Sequence, residues 1–423
     1  MGLAMRKLFA STLIAGLAIP ALAEETPSTA NPGLHDTATA LLLQNLRAIG
    51  KSDRFLFGQA NALTLSYDGN PVAHPYNGTS DVKDLTGAHP AFVESDFMWY
   101  RDPQVKAYDM DAMREAYRQG LLCGYCWHMA GMYADTFNTS GDGAANNRLV
   151  KDILAHPDRT QNKALNWFLT EYETKAIPVF QELGFPLVFR PLHEMTGTWF
   201  WWGSKIPPKE SSASGALPPE TPEASILCTP QEYVQLYRLL VTHLRSKNIR
   251  NLLFVWAPDK SADMRYYPGD EYVDIIGYDG YDQGLMDYYT MARHTENLQA
   301  LSDFAREHHK PFALTETGCL IDYPATNSDF WTKNVLGPLK ENGRKSVGVA
   351  YVMTWYNADW NHDGKSHAFV PYLGIEKKPG GQAAISDFLL FRRDPSVLFA
   401  DDIAPMKIYS AISPEGGKKN DRE

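Results

Sequence analysis

Short apolar runs alternate with longer helix-period segments along most of the chain, and this alternation restricts the possible folds more than any other feature. Eight runs have the length and the β-branched or aromatic content of buried strands. They lie at 55–58, 91–93, 121–125, 186–189, 252–256, 273–277, 312–314 and 347–352. Helix-like segments lie at 102–119, 148–183, 229–246, 290–309, 328–341 and 380–391. The alternation predicts parallel βαβ units and an α/β fold, a single (β/α)8 TIM barrel.

Polar and aromatic side chains follow the ends of these predicted strands. They are His128, Glu194, Asp259, Asp279, Tyr281, Glu316 and Trp355. Barrel enzymes keep their chemistry at the C-terminal ends of the strands, so we expect these side chains to meet in one cleft. An open doubly wound sheet is the structural alternative. It would normally carry a glycine-rich phosphate loop after its first strand, and this sequence has none there.

Two glutamates stand out because each follows an apolar run. Glu194 ends the predicted fourth strand and Glu316 the predicted seventh, which face each other across an eight-stranded ring. Glycoside hydrolysis needs such a pair, one protonated to donate to the leaving oxygen and one ionised to attack carbon or activate water. The aromatic run Trp199–Trp202 supplies flat faces on which sugar rings stack. A structural ion pair is the alternative for either glutamate alone.

Charge and metal-ligand patterns exclude other classes of function. The net charge of −10 argues against a nucleic-acid partner, which requires clustered Lys and Arg. Metal-dependent hydrolysis is a competing class, but the first predicted strand ends in Gly58-Gln59-Ala60 rather than in a His-x-His pair. We therefore expect no metal and no cofactor. The sequence does not assign a pairing to the four cysteines, Cys123, Cys126, Cys228 and Cys319.

The N-terminus has the pattern of a secretion signal over residues 1–23. Arg6 and Lys7 precede an apolar segment at 8–18, and Ala21-Leu22-Ala23 forms a small-x-small cleavage site. An uncleaved anchor is the alternative. We expect a flexible leader at 24–34, the catalytic barrel at 35–412 and a disordered tail at 413–423. The protein is then secreted, extracellular or periplasmic, with no membrane contact and as a monomer.

The sequence resembles glycoside hydrolase family 26 over roughly residues 40 to 410. The likeness rests on Arg190-Pro191-Leu192-His193-Glu194-Met195 with Gly197 and Trp199–Gly203, and on Tyr267–Asp270, Tyr272–Gly277, Thr315-Glu316, Trp355 and Phe57-Gly58-Gln59. The resemblance implies a (β/α)8 barrel and a secreted, retaining endo-β-1,4-mannanase. Its substrate would be a β-mannan: mannan, glucomannan or galactomannan.

The resemblance also implies roles for single residues. Glu194 matches the acid/base and Glu316 the nucleophile, and Tyr281 matches the tyrosine that contacts the nucleophile. The remaining matches are substrate contacts: Trp355 as the platform at the cleavage subsite, His193 where related barrels carry Asn, His128 and Trp199 in flanking subsites, and Asp279 in a position without an assigned role.

Two departures from the family pattern leave the specificity open. Thr196 stands where Asn or Asp is frequent, and Tyr356 stands where some members carry a basic residue that selects short sugar ends. The alternative to an endo-mannanase is therefore an exo-mannanase that releases mannobiose. The backbone sugar also stays open, because the family includes β-1,3-xylanases and mixed-linkage glucanases. A non-catalytic glycan-binding barrel is a further alternative.

Overall fold

The structure, a computed structural model, describes residues 34–67, 74–204, 228–281, 290–319, 328–340, 347–358 and 368–411. The predicted secretion signal, nearly all of the predicted leader and the predicted tail lie outside these ranges. Within them, no helix is both long and apolar enough to cross a lipid bilayer.

Eight parallel strands form a closed ring, which confirms the predicted barrel. The strands are β1 (Phe55–Ala60), β2 (Phe92–Asp96), β3 (Leu122–Cys126), β4 (Leu187–Arg190), β5 (Leu252–Trp256), β6 (Ile275–Asp279), β7 (Phe312–Thr317) and β8 (Val349–Thr354). Each strand pairs with the next, and β1 pairs with both β2 and β8, which closes the ring. The open doubly wound sheet is thereby excluded.

Helices surround this ring. They are α1 (Thr37–Lys51), α2 (Asp81–Thr86), α3 (Pro103–Arg118), α4 (Leu149–Leu154), α5 (Lys163–Glu171), α6 (Ile177–Leu183), α7 (Pro230–Ser246), α8 (Met291–Glu307), α9 (Gly337–Lys340), α10 (Gly381–Arg393) and α11 (Ala400–Ile403). The prediction of one helical segment over 148–183 was wrong, because this segment contains α4, α5, a π-helical turn and α6. Pro157 disfavours helical backbone at the residue before it. Asn162 then caps α5 by accepting a hydrogen bond from the Leu165 amide at 3.0 Å.

The barrel interior is a small apolar cluster that α1 closes at the N-terminal end of the strands. Side chains alternate between the two faces of a strand, so every second residue points inward. The inward residues include Leu56, Phe92, Leu122, Val188, Leu253, Ile275, Ala313 and Tyr351, in one cluster with Leu42, Leu46 and Ile49 of α1. The outward residues form a larger cluster with the surrounding helices. Apolar packing therefore fills the N-terminal end and leaves the C-terminal end for polar groups.

The end of the described chain packs against the same N-terminal end of the barrel. A ninth short strand, β9 (Val397–Leu398), pairs in parallel with the first two residues of β1. The Tyr409 hydroxyl accepts from the Cys123 amide at 3.2 Å and donates to the Leu121 carbonyl at 2.9 Å. The sequence pattern did not reveal β9, because two residues are too few for a periodic signal.

Gly124 of β3 provides a test of the close packing inside the barrel. A Cβ on Gly124 would lie 2.9 Å from the Phe92 ring and 2.9 Å from the backbone oxygen of Val188. We expect Gly124→Ala to lower the free energy of unfolding by about 1–3 kcal/mol, because the Val188 carbonyl cannot move without disturbing β4. Denaturant unfolding measures this change.

Gly50→Ala is the matched control for Gly124→Ala. Gly50 lies in α1, where an added Cβ would have its nearest neighbours at an ordinary 3.5 Å. Alanine also favours the helix over glycine by roughly 0.5–1 kcal/mol. The control should be neutral or stabilising, and equal destabilisation by both variants would contradict the assigned packing.

Candidate active site

A buried arginine organises the C-terminal end of the barrel. Arg190 is the last residue of β4 and is 0% exposed. Its guanidinium donates to Glu94 at 2.7 Å, to Asp279 at 3.0 Å and to Glu316 at 2.5 Å. Burial alone would lower the pKa of Arg190, but the charges of these carboxylates raise it well above its usual value. One permanent cation thus joins β2, β4, β6 and β7.

Glu316 accepts hydrogen bonds from two donors, one on each of its carboxylate oxygens. The Arg190 guanidinium holds one carboxylate oxygen, and the Tyr281 hydroxyl donates to the other. Glu316 lies within β7 and is 4% exposed, so a barrel strand rather than a loop holds its backbone. The contact between Tyr281 and Glu316 is the one that the family resemblance implied.

Glu194 lies beyond the end of its strand, and the prediction that it ends the fourth strand was wrong by a few residues. The strand β4 ends at Arg190, and Leu192 and Glu194 both adopt left-handed backbone with φ of 51° and 55°. The Glu194 amide donates to the Ala257 carbonyl at 2.7 Å, and the Gly197 amide donates to the Glu194 carbonyl at 2.8 Å. Such backbone costs a non-glycine residue about 1–3 kcal/mol, and it is often found at functional sites.

The environment of Glu194 favours the protonated carboxyl group. Burial raises the pKa of Glu194 well above its usual value, and the negative charges of Glu316, Asp279 and Asp259 raise it further. The indole N–H of Trp199 donates to Glu194 and acts in the opposite direction. The two glutamates therefore share one site but have opposite surroundings.

Glu94 and Asp279 share the single guanidinium of Arg190 with Glu316. Burial raises the pKa of each, and the nearby charge of Glu316 adds to the increase. Asp279 also accepts from the Thr315 hydroxyl at 2.6 Å. Asp279 thus contacts Arg190 and lies close enough to Glu194 for its charge to act on that carboxyl. Glu94, which the strand-end reasoning missed, lies in the middle of β2 and contacts Arg190 in the same way.

His193 and His128 form a second chain of polar contacts. His193 is 0% exposed, with its Nε2 atom 3.3 Å from Nε2 of His128 and 3.9 Å from Glu316. His128 Nδ1 forms a hydrogen bond with Asp96 at 2.5 Å. Burial alone would raise the pKa of Asp96, but the contact with His128 lowers it. Of the two histidines, only His128 reaches the surface of the cleft in this structure. Contact of His193 with a substrate hydroxyl stays a prediction.

Two tryptophans border the cleft from opposite sides of the ring. Trp199 follows β4, and the ammonium group of Lys260 lies 3.8 Å from its ring centre. Gly197 has no side chain at a place where a Cβ would lie 2.7 Å from the Trp199 ring. Trp355 follows β8 directly and is half-buried, with its ring 5.2 Å from that of His128. Contact of either ring with a sugar stays a prediction.

The other three aromatics of the run after Glu194 serve packing. Phe200, Trp201 and Trp202 are at most 4% exposed. Trp202 donates to the His193 carbonyl at 2.7 Å, and Trp201 donates to the Met129 carbonyl at 2.8 Å. They fix the loop that carries His193 and Glu194.

All four cysteines lie in the described ranges, where they are buried and form no disulfide. Cys126 lies with Asp96 and His128 in a group whose ligand atoms are within 4.8 Å of one another. Among the described residues, it is the one group of three or more His, Cys, Asp or Glu side chains that could hold a metal ion. However, Asp96 and His128 already bond to each other, and burial raises the pKa of the Cys126 thiol well above its usual value. The donors are therefore better suited to each other than to an ion.

Sequence comparison assigns the chain to a family. The sequence profile of glycosyl hydrolase family 26 matches residues 33–370. The chain belongs to glycosyl hydrolase family 26. Among similar proteins is the mannan endo-1,4-beta-mannosidase of Bacillus subtilis strain 168, 30% identical over 205 residues, which are 48% of this chain and 47% of the relative. The corresponding enzyme of Bifidobacterium adolescentis is 35% identical over 185 residues, 41% of this chain and 16% of the relative. The chain thus spans less than half the length of these relatives.

Solved structures agree with the fold. The family 26 β-mannanase from Bacteroides ovatus has a TM-score of 0.69 at 25% identity, covering 88% of this chain and 97% of that one. The family 26 protein GH26C from a Muricauda species has a TM-score of 0.70 at 26% identity, covering 89% and 94%.

Replacing Arg190 tests the charge network. Arg190→Met leaves Glu94, Asp279 and Glu316 buried without their cation. We expect a loss of about 3–5 kcal/mol in the free energy of unfolding, which is typical when a buried pair loses one partner. Denaturant unfolding provides the measurement.

A second variant shows whether uncompensated charge causes that loss. Adding Glu94→Gln to Arg190→Met removes one of the unpaired carboxylates, so part of the lost stability should return. If Arg190→Met unfolds like the unmodified protein, the carboxylates do not depend on Arg190.

Proposed function

We propose that the protein is a retaining glycoside hydrolase that cleaves internal β-1,4-mannosidic linkages of mannan, glucomannan or galactomannan. The observation that carries the proposal is the pair Glu194 and Glu316, which share a cleft in opposite electrostatic surroundings. A two-glutamate mechanism requires this difference, because one carboxyl must be protonated while the other is ionised.

In the first step, Glu194 donates its proton to the glycosidic oxygen while Glu316 attacks the anomeric carbon. Arg190 and Tyr281 orient the attacking carboxylate. The carbon–oxygen bond to the leaving sugar breaks, and a covalent glycosyl ester with Glu316 forms. Trp199 and Trp355 hold the sugars on either side of the bond.

In the second step, Glu194 takes a proton from water, which attacks the ester and releases the sugar. The ester has no negative charge on Glu316, and that charge is one cause of the raised pKa of Glu194. The pKa of Glu194 therefore falls between the two steps, which converts the acid into a base. Arg190 keeps Glu94 and Asp279 as partners throughout.

The assignment to mannan rests on the relatives, several of which are named mannan endo-1,4-beta-mannosidase. The alternatives within the family are β-1,3-xylan and mixed-linkage glucan. Reducing-sugar release from mannan, β-1,3-xylan and barley glucan, assayed side by side, distinguishes them. Scattered products from mannopentaose indicate endo action, whereas mannobiose alone indicates exo action. No release from any of these glycans would favour a glycan-binding barrel.

Export by the segment 1–23 is part of the proposal. It rests on the charge, the apolar run and the small residues at 21 and 23. Sequencing the N-terminus of the protein from the producing cells tests it, and a mature chain that begins at Met1 would contradict it.

Azide separates the roles of the two glutamates. We expect Glu194→Ala and Glu316→Ala each to lower kcat on an unactivated mannan by several orders of magnitude, because each removes a group that acts in the transition state. With an activated aryl mannoside and azide, Glu316→Ala should form the α-mannosyl azide. Glu194→Ala should form the β-mannosyl azide, because its covalent intermediate still forms. Proton NMR of the products distinguishes the anomers, and the reverse pattern would exchange the two roles.

The alkaline limb of the pH profile reports on Glu194. The protonated form of Glu194 is active, so kcat/KM falls as pH rises through its pKa. The negative charge of Asp259 helps to raise that pKa. We expect Asp259→Asn to move the alkaline limb to lower pH, because removing a nearby anion makes proton loss easier.

Two features make this pH measurement specific. Asparagine keeps an oxygen that can accept from the Thr196 hydroxyl, which bonds to Asp259 at 2.6 Å. The control Asp303→Asn removes an exposed carboxylate of α8 that pairs with Arg306. This control should leave the profile unchanged. An alkaline limb that moves to higher pH in Asp259→Asn would contradict Glu194 as the acid.

A further inference from the structure

A cavity of about 240 Å³ opens beside the cleft, and neither Glu194 nor Glu316 lines it. Its walls come from the segments after β2 and β3 and from α5 with the turn that follows it. We call it the side cavity and define it by Arg101, His128, Asp135, Trp167 and Lys175. Because the ring of His128 also contacts Trp355, the side cavity adjoins the predicted cleavage subsite.

The size of the side cavity suits one sugar ring. A volume of about 240 Å³ is larger than the roughly 150 Å³ cavity that holds benzene, a six-membered ring, in another protein. A single pyranose ring with its hydroxyls fits such a space, whereas an extended oligosaccharide does not.

The walls of the side cavity offer donors, acceptors and an aromatic ring. The Arg101 guanidinium donates to both oxygens of Asp135, at 2.7 and 2.5 Å, although the two side chains are 56% and 80% exposed. An ion pair this exposed contributes little to stability. Lys175 pairs with Glu171 on another wall, and the half-buried Trp167 packs on Trp201 at 6.3 Å. Neighbouring sugar hydroxyls both donate and accept, so such paired charges match them.

The side cavity lies to one side of the path that a polysaccharide backbone would follow. Trp199 follows β4 and Trp355 follows β8, and these strands are diametrically opposite in the ring. A backbone that contacts both tryptophans crosses the barrel mouth past the two glutamates. The side cavity lies at the ends of β2 and β3, away from this line. It is therefore better placed for a branch than for the next sugar of the backbone.

We propose that the side cavity binds a single hexosyl branch of the substrate, the galactosyl unit of galactomannan, attached to a backbone sugar next to the cleavage point. This inference rests on the proposed function, because it names the substrate class of the same site. Branched mannan is then a preferred substrate rather than a tolerated one.

Two variants test the side cavity. Arg101→Ala removes a wall donor, and Ala130→Trp fills the space that Ala130 lines. The substrates are linear mannopentaose and a set of mannopentaoses with one galactosyl branch at each internal unit. On the best branched isomer, we expect kcat/KM of Arg101→Ala to fall on the order of tenfold, because a charge-assisted hydrogen bond is lost. On the linear pentaose, kcat/KM should stay within about twofold of the value for the unmodified protein. Ala130→Trp should lower it further on the branched isomer alone.

The linear substrate serves as the folding control, and Arg114→Ala serves as the matched arginine control. Arg114 forms exposed pairs with Asp111 and Glu182 on the helix face outside the side cavity. Arg114→Ala should leave kcat/KM unchanged on both the linear and the branched substrate. Equal losses on linear and branched substrates would mean that the side cavity binds the backbone, and no loss on either would mean that it binds no sugar. Each of these outcomes overturns the proposal.

Binding measured without turnover separates this proposal from the proposed function. Calorimetry with Glu316→Gln compares the affinity for the branched and linear pentaoses, and Arg101→Ala in that background should remove the preference for the branched one. If the unmodified protein cleaves none of the pentaoses, the proposed function fails. If it cleaves them without a branch preference that depends on Arg101, only the side cavity proposal fails.

Discussion

The ion pairs of Arg190 are the interaction on which the rest of the site depends. A buried guanidinium is tolerated only when carboxylates satisfy it, and here the carboxylates come from β2, β6 and β7. Arg190 and its three carboxylates must therefore lie at about the same level along the barrel axis. The closed ring of parallel strands provides this alignment. The same contacts orient Glu316. The ion pair between Arg190 and Glu316 thus both satisfies a buried charge and positions the proposed nucleophile.

The second consequence of this network is the contrast between the two glutamates. Glu316 lies in β7 with two donors, whereas Glu194 lies on a left-handed loop with three carboxylates nearby and one indole donor. The negative charge that Arg190 does not neutralise favours the proton on Glu194. In the proposed mechanism, the charge of Glu316 and the proton of Glu194 are therefore coupled, and both change when the glycosyl ester forms.

The barrel, and the placement of Glu194 and Glu316 near each other, could be predicted from the sequence, because strand periodicity and a carboxyl after an apolar run are local signals. The contact of Tyr281 with Glu316 was implied by the family resemblance. Glu94 was missed because it lies inside β2, where its neighbours gave no sign that Arg190 would reach it from β4. The backbone at Glu194 was also missed, since left-handed φ at a non-glycine residue depends on tertiary contacts such as the one to Ala257.

The charge network that the proposed mechanism uses lowers the stability of the folded protein at neutral pH. The pKa values of Glu94, Glu194 and Asp279 are raised in the folded protein, so the folded state holds their protons more tightly than the unfolded chain. Their contribution to stability is present below the ordinary carboxyl pKa and is lost as pH rises through the raised values. Asp96 acts in the opposite direction, because its pKa is lowered and its contribution is lost in acid. At neutral pH the site is thus held at a cost, which apolar packing elsewhere, including the N-terminal end of the barrel, must offset.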